Sequence, residues 1–218
     1  MAAAVAALDG ETCGYKIGST SEEVQRLLKC TGPIHAPVLR EHVLASGATF
    51  SVPAGLLGVE CEFGFEMARD FPADGESVTL EQLGSAIADC FTALEIVGRR
   101  VTEDIPLNEM SSVADYGLNV AVVRGGPIPD WRQRNLSALS VVAVCDGAMA
   151  ASGTGAKVLG HPLVALLWLA EALSIAGGRL RAGEIVFTGS CTGITEVAPG
   201  QTFEGRFAEL PPVQVTFA

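Results

Sequence analysis

The sequence predicts an α+β fold dominated by strands. Three observations lead there. Glycine is abundant (25 residues) while aromatic residues make up only 6% of the chain, a composition that suits a turn-rich, mostly-β architecture. The segment Leu57 to Met67 alternates strictly: Leu57, Val59, Cys61, Phe63, Phe65 and Met67 point one way, and Gly58, Glu60, Glu62, Gly64 and Glu66 the other. That period of two is the mark of a half-buried strand. Strands also outnumber helices without alternating regularly with them, which argues against a doubly wound sheet.

Gly14 to Gly18 reads as a short strand bounded by glycines. Thr20 or Ser21 then caps a helix running to Leu28, with Glu22 and Glu23 in the first turn where the helix dipole favours them. Pro33 to Leu44 mixes proline, histidine and charge without a clean period and is expected to be a loop or lid. A short strand follows at Ala48 to Val52, then the alternating strand. Thr79-Leu-Glu-Gln82 has the form of a capping box opening a helix to about Cys90. Phe91 to Val101 reads as a strand with Ala93, Glu95 and Val97 on one face. Further strands are expected at Leu118 to Val123 and Leu139 to Val144, with a turn at Cys145-Asp-Gly147. His161-Pro162 opens a helix, proline taking its favoured first-turn position, and Gly177-Gly178 closes it. The last strands are Glu184 to Thr188, Gln201 to Phe207 and Val213 to Phe217.

The 218 residues, 49% hydrophobic and 18% charged, fit a single domain spanning 1–218. The net charge of −11 and the lack of a basic stripe argue against nucleic acid or an anionic membrane as partner. Six cysteines lie apart, without zinc or disulfide spacing, which fits a reducing cytoplasm. Pro162 to Ala176 is too short to span a bilayer, contains Glu171, and is expected to be a buried helix. Met1 to Leu8 is apolar but lacks a basic segment. It reads as the last turns of a helix rather than a signal peptide.

Glu60 and Glu62 stand on one face of a strand, about 7 Å apart along it. Carboxylates that close repel, and a hard divalent cation such as Mg2+ or Mn2+ resolves the repulsion because it prefers oxygen ligands. An isolated pair of this kind is more often a solvated strand face. Glu95 shifts the balance, because a lone carboxylate in an apolar run is costly to bury without a partner. Glu60, Glu62 and Glu95 together would make a three-carboxylate site with open positions for water and substrate. Lys16 sits between hydrophobic neighbours, and Gly189-Ser190 could offer an N–H group and a hydroxyl to an anion.

Four linked segments carry a resemblance. They are Gly58-Val-Glu-Cys-Glu-Phe-Gly-Phe-Glu-Met-Ala-Arg-Asp-Phe-Pro72; Ala93-Leu-Glu-Ile-Val-Gly-Arg-Arg-Val101; Ser152-Gly-Thr-Gly155 with Leu159-Gly-His-Pro162 and Trp168-Leu-Ala170; and Arg181-Ala-Gly-Glu-Ile-Val-Phe-Thr-Gly-Ser190. In this order they resemble the 2-keto-4-pentenoate hydratase branch of the fumarylacetoacetate hydrolase superfamily, from about Gly14 to Phe217. The resemblance implies that superfamily's compact β-rich fold with a few packed helices. It implies Mg2+ or Mn2+ on Glu60, Glu62 and Glu95, a 2-keto acid or its enol as substrate, and a homo-oligomer. Lys16 matches the family's active-site lysine and is the first candidate for moving protons; Glu41 and His42 are the second. Asp115, Ser152, Gly153 and Ser190 match regions that line the substrate pocket. Where many members read Ala-Asp-Asn-Ala-Ser, this chain reads Ala114-Asp-Tyr-Gly-Leu118, so a bulkier or more apolar substrate is expected. The family normally carries a longer helical stretch before the lysine strand. The implied reaction is addition of water to a 2-hydroxy-2,4-dienoate in the catabolism of aromatic compounds. Decarboxylation of a vinylogous 2-keto diacid and C–C hydrolysis of an acylpyruvate use related chemistry and stay open, as do a catalytically silent subunit and association with a pathway aldolase or decarboxylase.

Overall fold

The computed structural model describes residues 10–102 and 104–218. The expected N-terminal helix turns at Met1 to Leu8 lie outside the described residues. Among the described residues, twelve strands form two sheets. The chain runs β1 (Thr12–Gly18), α1 (Glu22–Leu28), β2 (Ile34–Leu39), β3 (Val43–Ala45), β4 (Ala48–Phe50), β5 (Leu56–Met67), α2 (Leu80–Ala86) and β6 (Ile87–Gly98). It continues with α3 (Glu109–Ala114), β7 (Asn119–Pro127), β8 (Ser140–Cys145), β9 (Ala148–Thr154), α4 (Pro162–Ile175), β10 (Ile185–Ser190), β11 (Thr202–Phe207) and β12 (Val213–Phe217). One sheet is ordered β2-β1-β10-β5-β6-β7-β3 and the other β4-β12-β11-β8-β9.

The two edge strands of the larger sheet, β2 and β3, are joined only by the short 3-10 turn Arg40–His42. Seven flat strands would put those edges about 29 Å apart at about 4.8 Å per strand. Four Cα–Cα steps reach at most about 15 Å. The sheet must therefore curl until its edges approach, and β2 does contact β7. The stretch expected to be a loop, Pro33 to Leu44, is thus mostly edge strand. Buried Ile34, Ala36, Val38 and Leu39 alternate too weakly to reveal it, because both faces of β2 are covered.

The convex face of the curl packs on the five-stranded sheet. Phe63 and Phe207 meet edge to face at 5.5 Å, and Val59, Cys61, Phe65, Leu94, Phe203, Val215 and Phe217 fill the same core. The concave face holds a second, smaller cluster: Cys13, Val38, Phe91, Ala93, Val122, Ile185 and Phe187. Phe91 reaches over Gly64, its cross-strand partner, where a Cβ would sit 2.1 Å from the ring. That glycine lets the floor of the concave side close.

Most of the other expected elements are found, with three further differences. Thr79 does cap α2, its hydroxyl accepting from Gln82 N at 3.3 Å, but the helix stops at Ala86. Residues from Ile87 onward pair with β5 instead, so the sheet ladder overrides the helical pattern. Helix α3 and strand β9 were not anticipated, and β9 contains Ser152 and Gly153. Helix α4 starts at Pro162 as expected, with His161 Nδ1 accepting from Leu163 N at 3.1 Å. The stretch Gly155–Ile175 is apolar enough, by length and composition, to reach the size of a membrane span. However, Leu159 and Gly160 break it with positive φ, and the 14-residue helix beyond is about 21 Å long with Ala165, Leu166, Leu169 and Ala170 in the core.

Beyond β5, Arg69 grips Glu76 with both guanidinium nitrogens (2.8 and 2.7 Å), and Ala73 N donates to the same carboxylate at 2.7 Å. Those bonds hold the Glu76 pKa down to about 2. Because the folded value lies below the ordinary carboxylate value, this clamp contributes fully above pH of about 4.5 and is lost as pH falls through about 2. In urea unfolding, Glu76→Gln should lower the midpoint at pH 7, and the gap from wild type should shrink steadily towards pH 2. A gap independent of pH would show that the carboxylate charge is not what closes this turn.

Candidate metal and active site

Glu60 and Glu62 project from the concave face of β5, and Glu95 projects from β6 directly opposite Glu60. They stand above the Phe91/Phe187 floor, towards the rim of the curl. Glu62 and Glu95 are fully buried and Glu60 is half-buried. One carboxylate oxygen from each falls within 4.8 Å of the others. Like charges facing each other across a ladder destabilise it, and burial multiplies that cost.

The surrounding groups compensate only in part. Lys16, buried on β1, places Nζ 3.2 Å from Glu95 Oε2 and donates to Gly117 O at 2.8 Å. Asn119 Nδ2 donates to Glu95 Oε1 at 2.7 Å. Gly189 N donates to Glu62 Oε2 at 2.9 Å. Ser190 hydrogen-bonds Glu60 while its oxygen accepts from Gly193 N at 2.8 Å. Glu62 Oε1 is buried and finds no hydrogen-bond partner among the described residues. Three carboxylates against one ammonium leave a formal charge of −2 when all are ionised, a charge that one divalent cation would balance.

The same imbalance sets the proton affinities. Burial first, then the neighbouring Glu95 charge, push Glu60 up to about 7, with Lys16 and Ser190 pulling the other way. Burial, Glu95 and Glu60 drive Glu62 well above the carboxylate range. For Lys16, burial favours the neutral amine, but Glu95, Glu62 and Glu60 together outweigh it and raise the pKa. Behind the site, Cys61 and Cys191 are buried packing groups, and burial lifts the Cys61 thiol to about 12, so neither is a ready nucleophile.

The donor set fits Mg2+ or Mn2+. All three residues offer hard oxygens, and Glu62 keeps one buried oxygen without a hydrogen-bond partner among the described residues. Ligands around Mg2+ at about 2.0–2.1 Å lie about 3–4 Å apart, and a small inward movement of oxygens already within 4.8 Å of one another would reach that spacing.

The curl thus brings together Lys16, Glu60, Glu62, Glu95 and Ser190. It does not bring in every residue singled out by sequence. Glu41 is exposed beside Gly10. Ser152 is exposed on β9, paired with Val142 in the other sheet. Gly153 lies against the Cys191 carbonyl, where a Cβ would come within 2.0 Å, so its role is to let β9 approach the end of β10. His42 is half-buried and lines a pocket of about 60 Å³ with Pro37, Leu39, Arg100, Tyr116 and Asn119. Asp115 is buried, but both oxygens are occupied: Oδ1 by the Arg100 guanidinium at 3.1 Å and Oδ2 by Arg100 N at 2.7 Å. Its charge is therefore committed to Arg100 rather than free for a substrate.

The roles of Asn119, Gly117 and Arg100 were missed by sequence reasoning, whereas the Gly189 N–H was expected to serve an anion and does so for Glu62. A signal was at hand for Gly117, which lies within Ala114-Asp-Tyr-Gly-Leu118, and for Asn119, which follows it. Tyr116, Gly117 and Leu118 have φ of 52°, 63° and 68°, three left-handed residues in succession. That conformation costs roughly 1–2 kcal/mol for each non-glycine residue. Leu118 is buried, so only Tyr116 of the two departures from the family pattern reaches the pocket.

Comparison with known proteins agrees with this geometry. Residues 35–218 match the family model described as fumarylacetoacetate (FAA) hydrolase C-terminal. The chain is 34% identical over 208 residues to the TodF product hydratase of Pseudomonas putida, covering 94% of this chain and 76% of that protein. It is 32% identical over 207 residues to the 2-keto-4-pentenoate hydratase of Paraburkholderia xenovorans, covering 94% and 75%. Among solved structures, 4-oxalocrotonate decarboxylase from Pseudomonas putida G7, complexed with magnesium and adipate, superimposes with a TM-score of 0.86 at 25% identity, over 96% of this chain and 79% of that one. The chain belongs to the fumarylacetoacetate hydrolase family. Within it, the chain falls in the branch of the 2-keto-4-pentenoate hydratases, enzymes of lyase type.

Glu62→Gln keeps an acceptor for Gly189 N and replaces a buried carboxyl that must either take up a proton or confine a like charge. The metal-free variant should melt higher than metal-free wild type, with its advantage growing as pH rises above the ordinary carboxylate value. Mn2+ should raise the melting temperature of wild type and not of the variant. An equal Mn2+-induced rise in both proteins would exclude Glu62 as a ligand.

Proposed function

We propose that the chain is a divalent-metal-dependent hydratase that adds water to a 2-hydroxy-2,4-dienoate and releases a 4-hydroxy-2-keto acid, in the catabolism of aromatic compounds. One observation carries the reading: Glu60, Glu62, Glu95 and Lys16 converge on the concave rim in a chain 34% identical to a product hydratase over 94% of its length. Six cysteines without a disulfide fit a reducing cytoplasm as its setting.

Glu60, Glu62 and Glu95 would hold Mg2+ or Mn2+, which supplies Lewis-acid polarisation of the 2-oxygen and attraction for the substrate carboxylate. The chain's own groups divide the remaining work. In the substrate, a proton leaves the 2-hydroxyl and one is added at C5, giving a 2-oxo-3-enoate. Water then adds its oxygen at C4 and a proton arrives at C3. Lys16 is the proposed proton carrier, since its ammonium is buried, fixed by Gly117 O and aimed at the carboxylates. Gly189 and Ser190 orient Glu62 and Glu60 and are thereby occupied. Asn119 and Lys16 do the same for Glu95. Tyr116 and Leu39 give the adjoining pocket an apolar wall, in keeping with a substrate bearing an alkyl end.

The second reading is decarboxylation of a 2-keto diacid, favoured by the superposition on 4-oxalocrotonate decarboxylase. A second substrate carboxylate needs an uncommitted cation. Arg100 lines the pocket but is already paired with Asp115, which tilts the choice to hydration.

The test is loss of the ultraviolet absorbance of 2-hydroxypenta-2,4-dienoate with Mg2+ or Mn2+, followed by product identification. A 4-hydroxy-2-keto acid formed only with metal is the expected result. Turnover of a diacid with release of CO2, and none of the dienoate, would replace hydration by decarboxylation. Lys16→Ala should lose about 10²–10⁴ in kcat while still binding Mn2+; near-wild-type turnover would remove Lys16 from the mechanism.

A further inference from the structure

Arg100 lies outside the carboxylate cluster, yet it is tied to both of the loop contacts that orient it. Its backbone N and guanidinium both bond Asp115, at 2.7 and 3.1 Å, on the near side of the left-handed turn. Its other guanidinium nitrogen donates to Asn119 O, at 2.5 Å, on the far side. Leu118 N closes the turn onto Asp115 O at 2.8 Å, and Tyr116 stacks against the guanidinium at 5.8 Å. Between the two anchors, Gly117 O faces inward and accepts from Lys16 Nζ. Immediately after them, Asn119 Nδ2 reaches Glu95. The turn is an unfavourable conformation for Tyr116 and Leu118, so it needs an external restraint. Released, it would take with it the Lys16 acceptor and the Glu95 donor together.

We propose that Arg100 is a positioning residue: its planar fork holds the turn 116–118 closed, and through Gly117 O and Asn119 it fixes Lys16 and Glu95 in the geometry of the metal and proton-transfer site. This rests on the metal-dependent reading of that site. It also gives Asp115 a role as the anchor of Arg100 in place of a substrate ligand. The fork matters because two acceptors on opposite sides of the turn must be met at once, which a single ammonium does not do.

The experiment compares Mn2+ affinity and steady-state kinetics of wild type, Arg100→Ala and Arg100→Lys. Folding is checked by circular dichroism, and each measurement is repeated with millimolar guanidinium. Groups that orient metal ligands typically contribute about 10- to 100-fold in metal affinity or activity. Both variants should bind Mn2+ about tenfold or more weakly and lose kcat more than they raise KM. Guanidinium should restore part of the affinity in the alanine variant, and little in wild type. A folded Arg100→Ala or Arg100→Lys that binds Mn2+ as wild type does would overturn the proposal. Should the alanine variant not fold, the lysine variant decides on the same criterion. Absence of Mn2+ binding by wild type would instead sink the metal-dependent reading itself.

Discussion

Three carboxylates held within 4.8 Å of one another, two of them without solvent, are the constraint on which the rest of this structure depends. An arrangement of this kind survives only if the protein around it supplies enough positive potential and enough rigidity. The positive potential comes from few sources: one ammonium, one amide side chain, one backbone N–H and one hydroxyl. They stop short of neutralising the cluster, and the raised pKa values of Glu60 and Glu62 measure the shortfall. A stability-optimised sheet would carry valine at these positions. That this one does not is a physical reason to read the cluster as a site kept for binding, since natural folds depart from local rules mainly where function demands it.

The rigidity comes from the curl. Joining the two edge strands of a seven-stranded sheet through Arg40–His42 forces a closed concavity. Its lower part is dry, packed by Phe91, Phe187, Ala93 and Val122. Its upper part must then hold whatever projects inward from the same strands at the next positions, namely Glu62, Glu60 and Glu95. Gly64 is the hinge between the two parts, because only a missing side chain lets the Phe91 ring seal the floor directly beneath the charges. The low dielectric that this floor creates sharpens every interaction above it.

Much of this was legible in the chain. The alternation from Leu57 to Met67 gave both the strand and the side on which its glutamates lie. Glu95 could be matched to them because a charge in an apolar run demands a partner. The curl was not legible, since β2 is covered on both faces and carries Pro37 and His35, which broke its periodicity. The supporting residues were hidden for a different reason. Asn119 and Arg100 act through long-range geometry, 24 residues from Glu95 for one and across a left-handed turn for the other. Asp115 could be found by motif but not understood, because the sequence does not say that both of its oxygens face Arg100.

The division between these two sets of residues bears on how such a site changes its chemistry. The carboxylates and Lys16 sit on strands in the middle of a sheet, where a shift of register would turn every side chain to the opposite face. They are therefore fixed by the fold. The turn 115–119 is a loop at the rim, and it alone contributes Tyr116 and Asn119 to the adjoining pocket while also carrying Gly117 to Lys16. Substitutions there alter the shape of the pocket and the tuning of the lysine at the same time, without disturbing either core. Relatives named as hydratases and as a decarboxylase share this scaffold, and a segment of that kind is where their sites can differ. In this chain that turn carries Tyr116 and Leu118 where the resemblance led to the expectation of polar groups. Under the proposed hydration, the carboxylates and Lys16 act on the 2-keto acid end of the substrate, and the turn, through Tyr116 and the pocket it lines, faces the other end.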